Sequence, residues 1–211
     1  MIGIIDYGMG NLRSVQKAFE FLGVPAQIVS RPNEMEQFPG LILPGVGAFR
    51  DAIQEIRQKD FPTALRDSVD SGKPLLGICL GLQLLFETSY EDGEYEGLGL
   101  IDGDVVRFQN EPELKIPHMG WNAVDTVQAH PLLEGISNES HFYFVHSFFV
   151  RPTDRETVIG QTTHGTQPFA SIVAKGNLMA TQFHPEKSQR VGLQLLRNYA
   201  NLVEESATIR S

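Results

Sequence analysis

The sequence predicts an α/β protein: an open, mainly parallel sheet with helices on both faces and antiparallel strands added in the second half. Two observations predict it. In the first half short apolar runs alternate with segments of helical periodicity, and parallel strands need a crossover between them. After Tyr95 apolar runs succeed one another with little helix between, which suits antiparallel pairing. A length of 211 residues fits one well-buried core, so residues 1–211 are read as a single domain.

Met1 to Asp6 is a short apolar run and reads as the first strand. Leu12, Val15, Ala18, Phe19 and Leu22 then recur at near-helical spacing before Gly23, a natural helix stop. Ala26–Val29 and Leu41–Leu43 read as strands set apart by turn-forming Pro and Gly. Phe49 to Val69 reads as helix, interrupted at Pro62. Leu75 to Ile78 is an apolar run leading into Cys79, and Leu82, Leu84, Leu85 and Phe86 fit a helix buried on most sides. Further strands are expected at Val105–Phe108, Phe142–Phe149, Thr157–Thr162, Phe169–Val173 and Leu178–Phe183. Val191, Leu195, Leu196, Tyr199 and Leu202 share one face of a last amphipathic helix, and the tail from Glu204 to Ser211 is expected to fray.

The formal net charge of −9, with no Lys/Arg cluster, sets up a field that repels polyanions and argues against nucleic acid as a partner. No stretch approaches the ~20 apolar residues of a bilayer span, so the chain reads as soluble, without membrane segment or signal peptide. A single cysteine makes no internal disulfide, which fits a reducing cytoplasm and leaves one thiol for packing or for chemistry.

Gly77 and Gly81 flank Cys79 two residues away on either side, as a sharp strand-to-helix turn requires when backbone segments come close. Such an elbow lifts the side chain toward a helix N-terminus, whose free N–H groups and dipole favour a thiolate. The next N–H, on Leu80, can donate to an oxyanion. A lone cysteine is also readable as a small buried hydrophobe, and the local motif alone does not choose between the two.

A second group follows far downstream. An apolar strand ends at His184, Pro185 stops ladder pairing, and Glu186 lies two positions on, where extended backbone returns to the same side. A nucleophilic thiol needs an imidazole beside it and a carboxylate to hold that ring, so Cys79, His184 and Glu186 make a candidate triad. Glu186 is equally readable as an acid complementing the dipole of the last helix. Gly45 and Gly47, after one buried strand, leave backbone N–H groups free to approach a ligand, although an ordinary strand-to-helix turn has the same look. The other histidines lack ligand spacing, so neither metal nor cofactor is indicated.

Taken together, GICLGLQLLFE, TQFHPEKS, DYGMGNLRSV, PGVGAF, KIPHMGWN and FYFVHSFFV resemble, in order and nearly end to end, the class I (triad) glutamine amidotransferases. The last four blocks are similar to the branch whose glutaminase feeds a (β/α)8 cyclase in histidine biosynthesis. The resemblance implies a flavodoxin-like sheet, L-glutamine as substrate, and an oxyanion hole from Leu80, Val46 and Gly47. Gly45, Gln83, Ser147 and Phe148 would bind the glutamine, the last two through their backbone. Tyr7, Asn11, His118, Met119, Trp121, Tyr143 and Lys187 would lie near the face that docks on the cyclase. Ala180 and Thr181 stand where relatives often carry Gly or Val, which touches packing and no proposed catalytic group. Two other readings stay open at this point: a glutaminase serving a different acceptor enzyme, and a scaffold that binds a partner without catalysis.

Overall fold

Strands with apolar side chains on both faces need cover on both faces, and the first half of this chain supplies such strands. The computed structural model describes residues 1–210. Its strands are β1 (Ile2–Ile5), β2 (Ala26–Val29), β3 (Gly40–Gly45), β4 (Leu75–Cys79), β5 (Phe86–Ser89), β6 (Tyr95–Glu96) and β7 (Ile101–Arg107). They continue as β8 (His118–Thr126), β9 (Ser140–His146), β10 (Phe148–Pro152), β11 (Val158–His164), β12 (Gln167–Lys175) and β13 (Leu178–Thr181). The helices are α1 (Leu12–Phe21), α2 (Phe49–Gln58), α3 (Phe61–Asp70), α4 (Leu80–Leu84) and α5 (Gln189–Arg210).

The main sheet runs β2-β1-β3-β4-β13-β12-β11-β8-β9. Neighbours from β2 to β13 pair in parallel and those from β13 to β9 antiparallel. Alternation along each parallel strand feeds two cores. Leu41, Leu43 and Leu75 join Phe49, Ile53, Ile56, Phe61 and Leu65 of α2 and α3 on one side. Ile2, Ile4, Ile42, Leu76 and Ile78 join Val15 and Phe19 of α1 and Leu195, Leu196 and Tyr199 of α5 on the other. The parallel strands therefore end at one edge, where α/β sheets commonly bind ligands, and β3, β4 and β13 bring Gly45, Cys79 and the approach to His184 there.

Several expectations need correction. α4 stops at Leu84, and Phe86 opens strand β5 of a second, four-stranded sheet, β10-β7-β5-β6. The break between α2 and α3 falls at Lys59 and Asp60, where Asp60 adopts φ 59°, and Pro62 sits in the first turn of α3, whose N–H groups lack acceptors anyway. The single strand expected at Phe142–Phe149 divides at Ser147 into β9 and β10, which belong to different sheets. β8 was not expected at all. The tail from Glu204 is helical to Arg210, held by Val203 packed on Gly40 and by Ser206, whose Oγ donates to the Gly72 carbonyl; Ser211 lies outside the described residues. No helix among the described residues is long and apolar enough to cross a membrane.

Candidate active site

Cys79 ends β4 with φ 56° and ψ −111°, a conformation that side-chain-bearing residues adopt only under constraint. The constraint is close backbone packing. A Cβ on Gly81 would lie 1.9 Å from the Leu43 carbonyl oxygen, and one on Gly45 would lie 2.8 Å from the Gly81 amide nitrogen. Gly45 is the register partner of Cys79, so the ends of β3 and β4 and the start of α4 meet without intervening side chains. Leu80, first in α4, has an N–H without an intrahelical acceptor. With only five residues, α4 supplies a smaller dipole than the sequence reading assumed.

His184 follows β13, and the turn at Pro185–Lys187 brings Glu186 back under its ring. His184 Nδ1 lies 2.8 Å from Glu186 Oε1, and the two side chains are 2% and 1% exposed. A carboxylate accepts, so the Nδ1 proton points to Glu186 and leaves Nε2 as the working nitrogen. Ser188 Oγ donates to the His184 carbonyl at 2.7 Å and accepts from the Tyr143 N–H at 2.9 Å, fixing the backbone beneath the ring. Nε2 is buried without a hydrogen-bond partner. Burial opposes charge on this imidazole, but the nearby Cys79 sulfur and the Glu186 carboxylate outweigh it and hold the pKa up at about 10.

Cys79 and His184 line one cleft of about 180 Å³, together with Leu80, the Val46–Gly47 loop, Gln83, Glu91 and the segment Val145–Phe148. Gly47 takes φ 100° in that loop, a conformation that favours glycine. Gln83 is buried and donates to the Phe148 carbonyl at 3.0 Å and to Gln182 Oε1 at 3.1 Å, while Gln182 Nε2 reaches the Cys79 sulfur at 3.9 Å. Sequence reasoning missed Glu91, Val145 and His146. Glu91 accepts from the Phe49 N–H at the start of α2 at 2.8 Å, and burial raises its pKa. Its surroundings, Glu91-Asp92-Gly93-Glu94, read as a solvated acidic loop, so no local signal marked it.

Of the expected docking residues, Met119 and Trp121 are 63% and 47% exposed on β8, with the Trp121 ring edge-on to Tyr143. Lys187 is exposed, and Asn11 is half-buried ahead of α1. Tyr7 and His118 are buried, Tyr7 beside Gly45 under the elbow and His118 on the inward face of β8. Among the described residues no group of three or more His, Cys, Asp or Glu side chains is placed to hold a metal ion.

A family model described as glutamine amidotransferase class-I matches residues 3–201. The imidazole glycerol phosphate synthase subunit HisH of Rhodopirellula baltica is 56% identical over 207 residues, which are 98% of this chain and 100% of that relative. The subunit of the same name from Desulfitobacterium hafniense is 50% identical over 211 residues, 100% of this chain and 99% of that one. Among solved structures, a chain from the structure of PurLQS from Thermotoga maritima superposes with a TM-score of 0.76 at 18% identity, over 96% of this chain and 98% of that one, a likeness of fold. Full-length relatives at this identity settle the family: the chain belongs to the class-I glutamine amidotransferases, in the group of the HisH subunits of imidazole glycerol phosphate synthase.

Proposed function

We propose that the chain, acting as one domain over residues 1–211, hydrolyses L-glutamine to glutamate and ammonia in the cytoplasm. It passes the ammonia to a (β/α)8 cyclase subunit that makes imidazole glycerol phosphate and aminoimidazole carboxamide ribonucleotide. The observation that carries the reading is the pairing, in one cleft, of a strained Cys79 with a buried His184 whose far nitrogen is held by Glu186.

The Cys79 thiolate, its proton carried by His184 Nε2, attacks the side-chain carboxamide carbon, and the carbonyl electrons move onto oxygen, where the N–H groups of Leu80 and of the Val46–Gly47 loop receive them. The C–N bond breaks as His184 Nε2 gives its proton to the leaving nitrogen, releasing ammonia and a γ-glutamyl thioester. His184 then takes a proton from water while the water oxygen attacks the thioester, and the same proton leaves with the thiol. Glu186 keeps the ring oriented and stabilises its cation. Glu91, a carboxylate lining the cleft, suits the α-ammonium of glutamine, and Gln83 braces the Phe148 segment against which the substrate lies. Met119, Trp121, Tyr143, Asn11 and Lys187 supply the docking face.

The loop at Gly45–Gly47 is a natural gate, because losing one oxyanion donor costs about 2.7–4 kcal/mol in other enzymes. Glutamine hydrolysis is therefore expected to be slow for the chain alone and to rise with the cyclase and its nucleotide ligand bound. The deciding assay measures glutamine- and ammonia-dependent synthesis by the complex with wild type and with Cys79→Ala. Loss of the glutamine-dependent reaction alone is expected; a variant that keeps it refutes the assignment. Equal glutaminase rates with and without the cyclase refute the gate.

A further inference from the structure

Behind the cleft, polar groups form a line from half-buried Asn122 on β8 through buried His118 and His146 to the substrate segment. Asn122 Nδ2 lies 3.1 Å from His118 Nε2, His118 Nδ1 lies 3.0 Å from His146 Nε2, and His146 Nδ1 lies 2.8 Å from the Phe148 carbonyl oxygen. Both ends accept only one polarity. The Asn122 amide cannot flip, since its Nδ2 also donates to the Thr163 carbonyl at 3.0 Å and its Oδ1 accepts from the Ala123 N–H at 2.8 Å. It therefore presents a donor to His118 Nε2. At the other end a carbonyl demands a proton on His146 Nδ1. One assignment satisfies every link: both rings are neutral and carry the proton on Nδ1, and every donor points toward the cleft.

The surroundings enforce neutrality. His118 is stacked between Phe144 and His164 and has Phe108 and Phe169 at its edge. Burial, reinforced by the neighbouring His164, lowers the His118 pKa to about 4. His146 is held lower still, at about 3, again chiefly by burial. The two nearest other imidazoles have partners of their own: His164 bonds the Lys115 carbonyl through Nε2, and His184 bonds Glu186. The receiving carbonyl, that of Phe148, also accepts from Gln83, so its two lone pairs are both fixed, one by α4 and one by the histidine line.

We propose that His118 and His146 are positioning residues: a tautomer-locked pair, anchored by Asn122, that sets the Ser147–Phe148 backbone against which glutamine binds. Neither ring takes part in proton transfer, and the effect belongs to substrate affinity. The inference rests on the glutaminase reading given above. It also explains why β8 carries His118 and Asn122 on its inward side, where a strand ordinarily buries apolar groups.

The test uses the full chain with its cyclase subunit and measures kcat and KM for glutamine. His118→Phe preserves the aromatic stack but leaves His146 Nε2 and the Asn122 N–H unpaired, so KM is expected to rise about tenfold with kcat within about twofold. His118→Gln restores one donor and one acceptor and is expected to recover KM to within about threefold of wild type. Unchanged KM in His118→Phe, or equal impairment in both variants, overturns the proposal. Labelling Cys79 with iodoacetamide at wild-type rate in both variants separates this from damage to the nucleophile. Should wild type itself fail to hydrolyse glutamine, the functional reading falls, and the pairing is still decided by imidazole ¹⁵N NMR of wild type at neutral pH. Neutral Nδ1–H tautomers at both rings support it; a charged ring or an Nε2–H tautomer at either overturns it.

Discussion

Cys79 carries a backbone conformation that a side chain makes costly, and its neighbours enforce it because Gly45, Gly77 and Gly81 leave no room for the chain to relax. Strain of this kind costs roughly 1–3 kcal/mol, whereas glycine loses only about 0.5–1 kcal/mol more than alanine in chain entropy on folding. Cys79→Gly is therefore expected to be more stable than Cys79→Ala by about 1 kcal/mol in urea denaturation, with both inactive. The opposite order would mean that the elbow holds no strain. Glu186 is the other residue whose effect has a clear sign. A His184 pKa raised to about 10 keeps the imidazolium through neutral pH, and the charge is lost as pH rises through that value. Protonation of the leaving nitrogen then fails on the alkaline side. Glu186→Gln removes one of the two influences that raise the pKa, so the alkaline limb of kcat/KM is expected to move down by at least about one pH unit. A limb that stays in place would show that Glu186 orients the ring without stabilising its charge.

At the scale of elements, Ser188 joins three of them: its hydroxyl links β9 through the Tyr143 N–H to the turn after β13 through the His184 carbonyl, and α5 begins at the next residue. Ser188→Ala leaves a buried N–H unpaired and is expected to cost about 1–3 kcal/mol in stability. A ring displaced by a fraction of an ångström should lower kcat between about tenfold and a hundredfold, measured as glutamine hydrolysis beside the thermal midpoint. Unchanged kcat would place the control of His184 in Glu186 alone. The parallel strands and α1, α2 and α5 were legible because burial on both faces makes β1, β3 and β4 unbroken apolar runs and burial on one face gives the helices their period. β8 was not, for a physical reason: its outward face carries Met119 and Trp121 while its inward face carries His118 and Asn122, the reverse of what a half-buried strand presents. β5 was hidden because Phe86 continues the apolar run of α4 without a break. The candidate triad was legible because Cys79 closes β4 between two glycines and Pro185 stands between His184 and Glu186 just after β13. Glu91 and His146 reach the cleft through tertiary packing alone, with no local pattern to announce them.

For the whole molecule, the reversed polarity of β8 is the strongest sign of where a partner lies. Trp121 is half-exposed, rests edge-on against Tyr143, and stands beside Met119, the most exposed hydrophobic side chain on this strand. An aromatic flanked by a methionine is the composition of an interface centre, and removing such an anchor commonly costs 2 kcal/mol or more. Trp121→Ala is thus expected to raise Kd for the cyclase subunit by about thirtyfold or more in titration calorimetry. The stability of the isolated chain should shift by less, about 1 kcal/mol, because about half of the indole is already exposed within it. These two readouts divide the possibilities. A weakened complex with a little-changed chain assigns the indole to docking. A destabilised chain with unchanged affinity would make Trp121 a cover for the β8–β9 ladder and move the docking face elsewhere. In the first case His118 lies between the partner and the substrate segment, since its backbone neighbours on the same strand touch the cyclase while its ring bonds His146. The KM effect of His118→Phe should then appear both in the complex and in the isolated chain, because the histidine line is internal to this subunit.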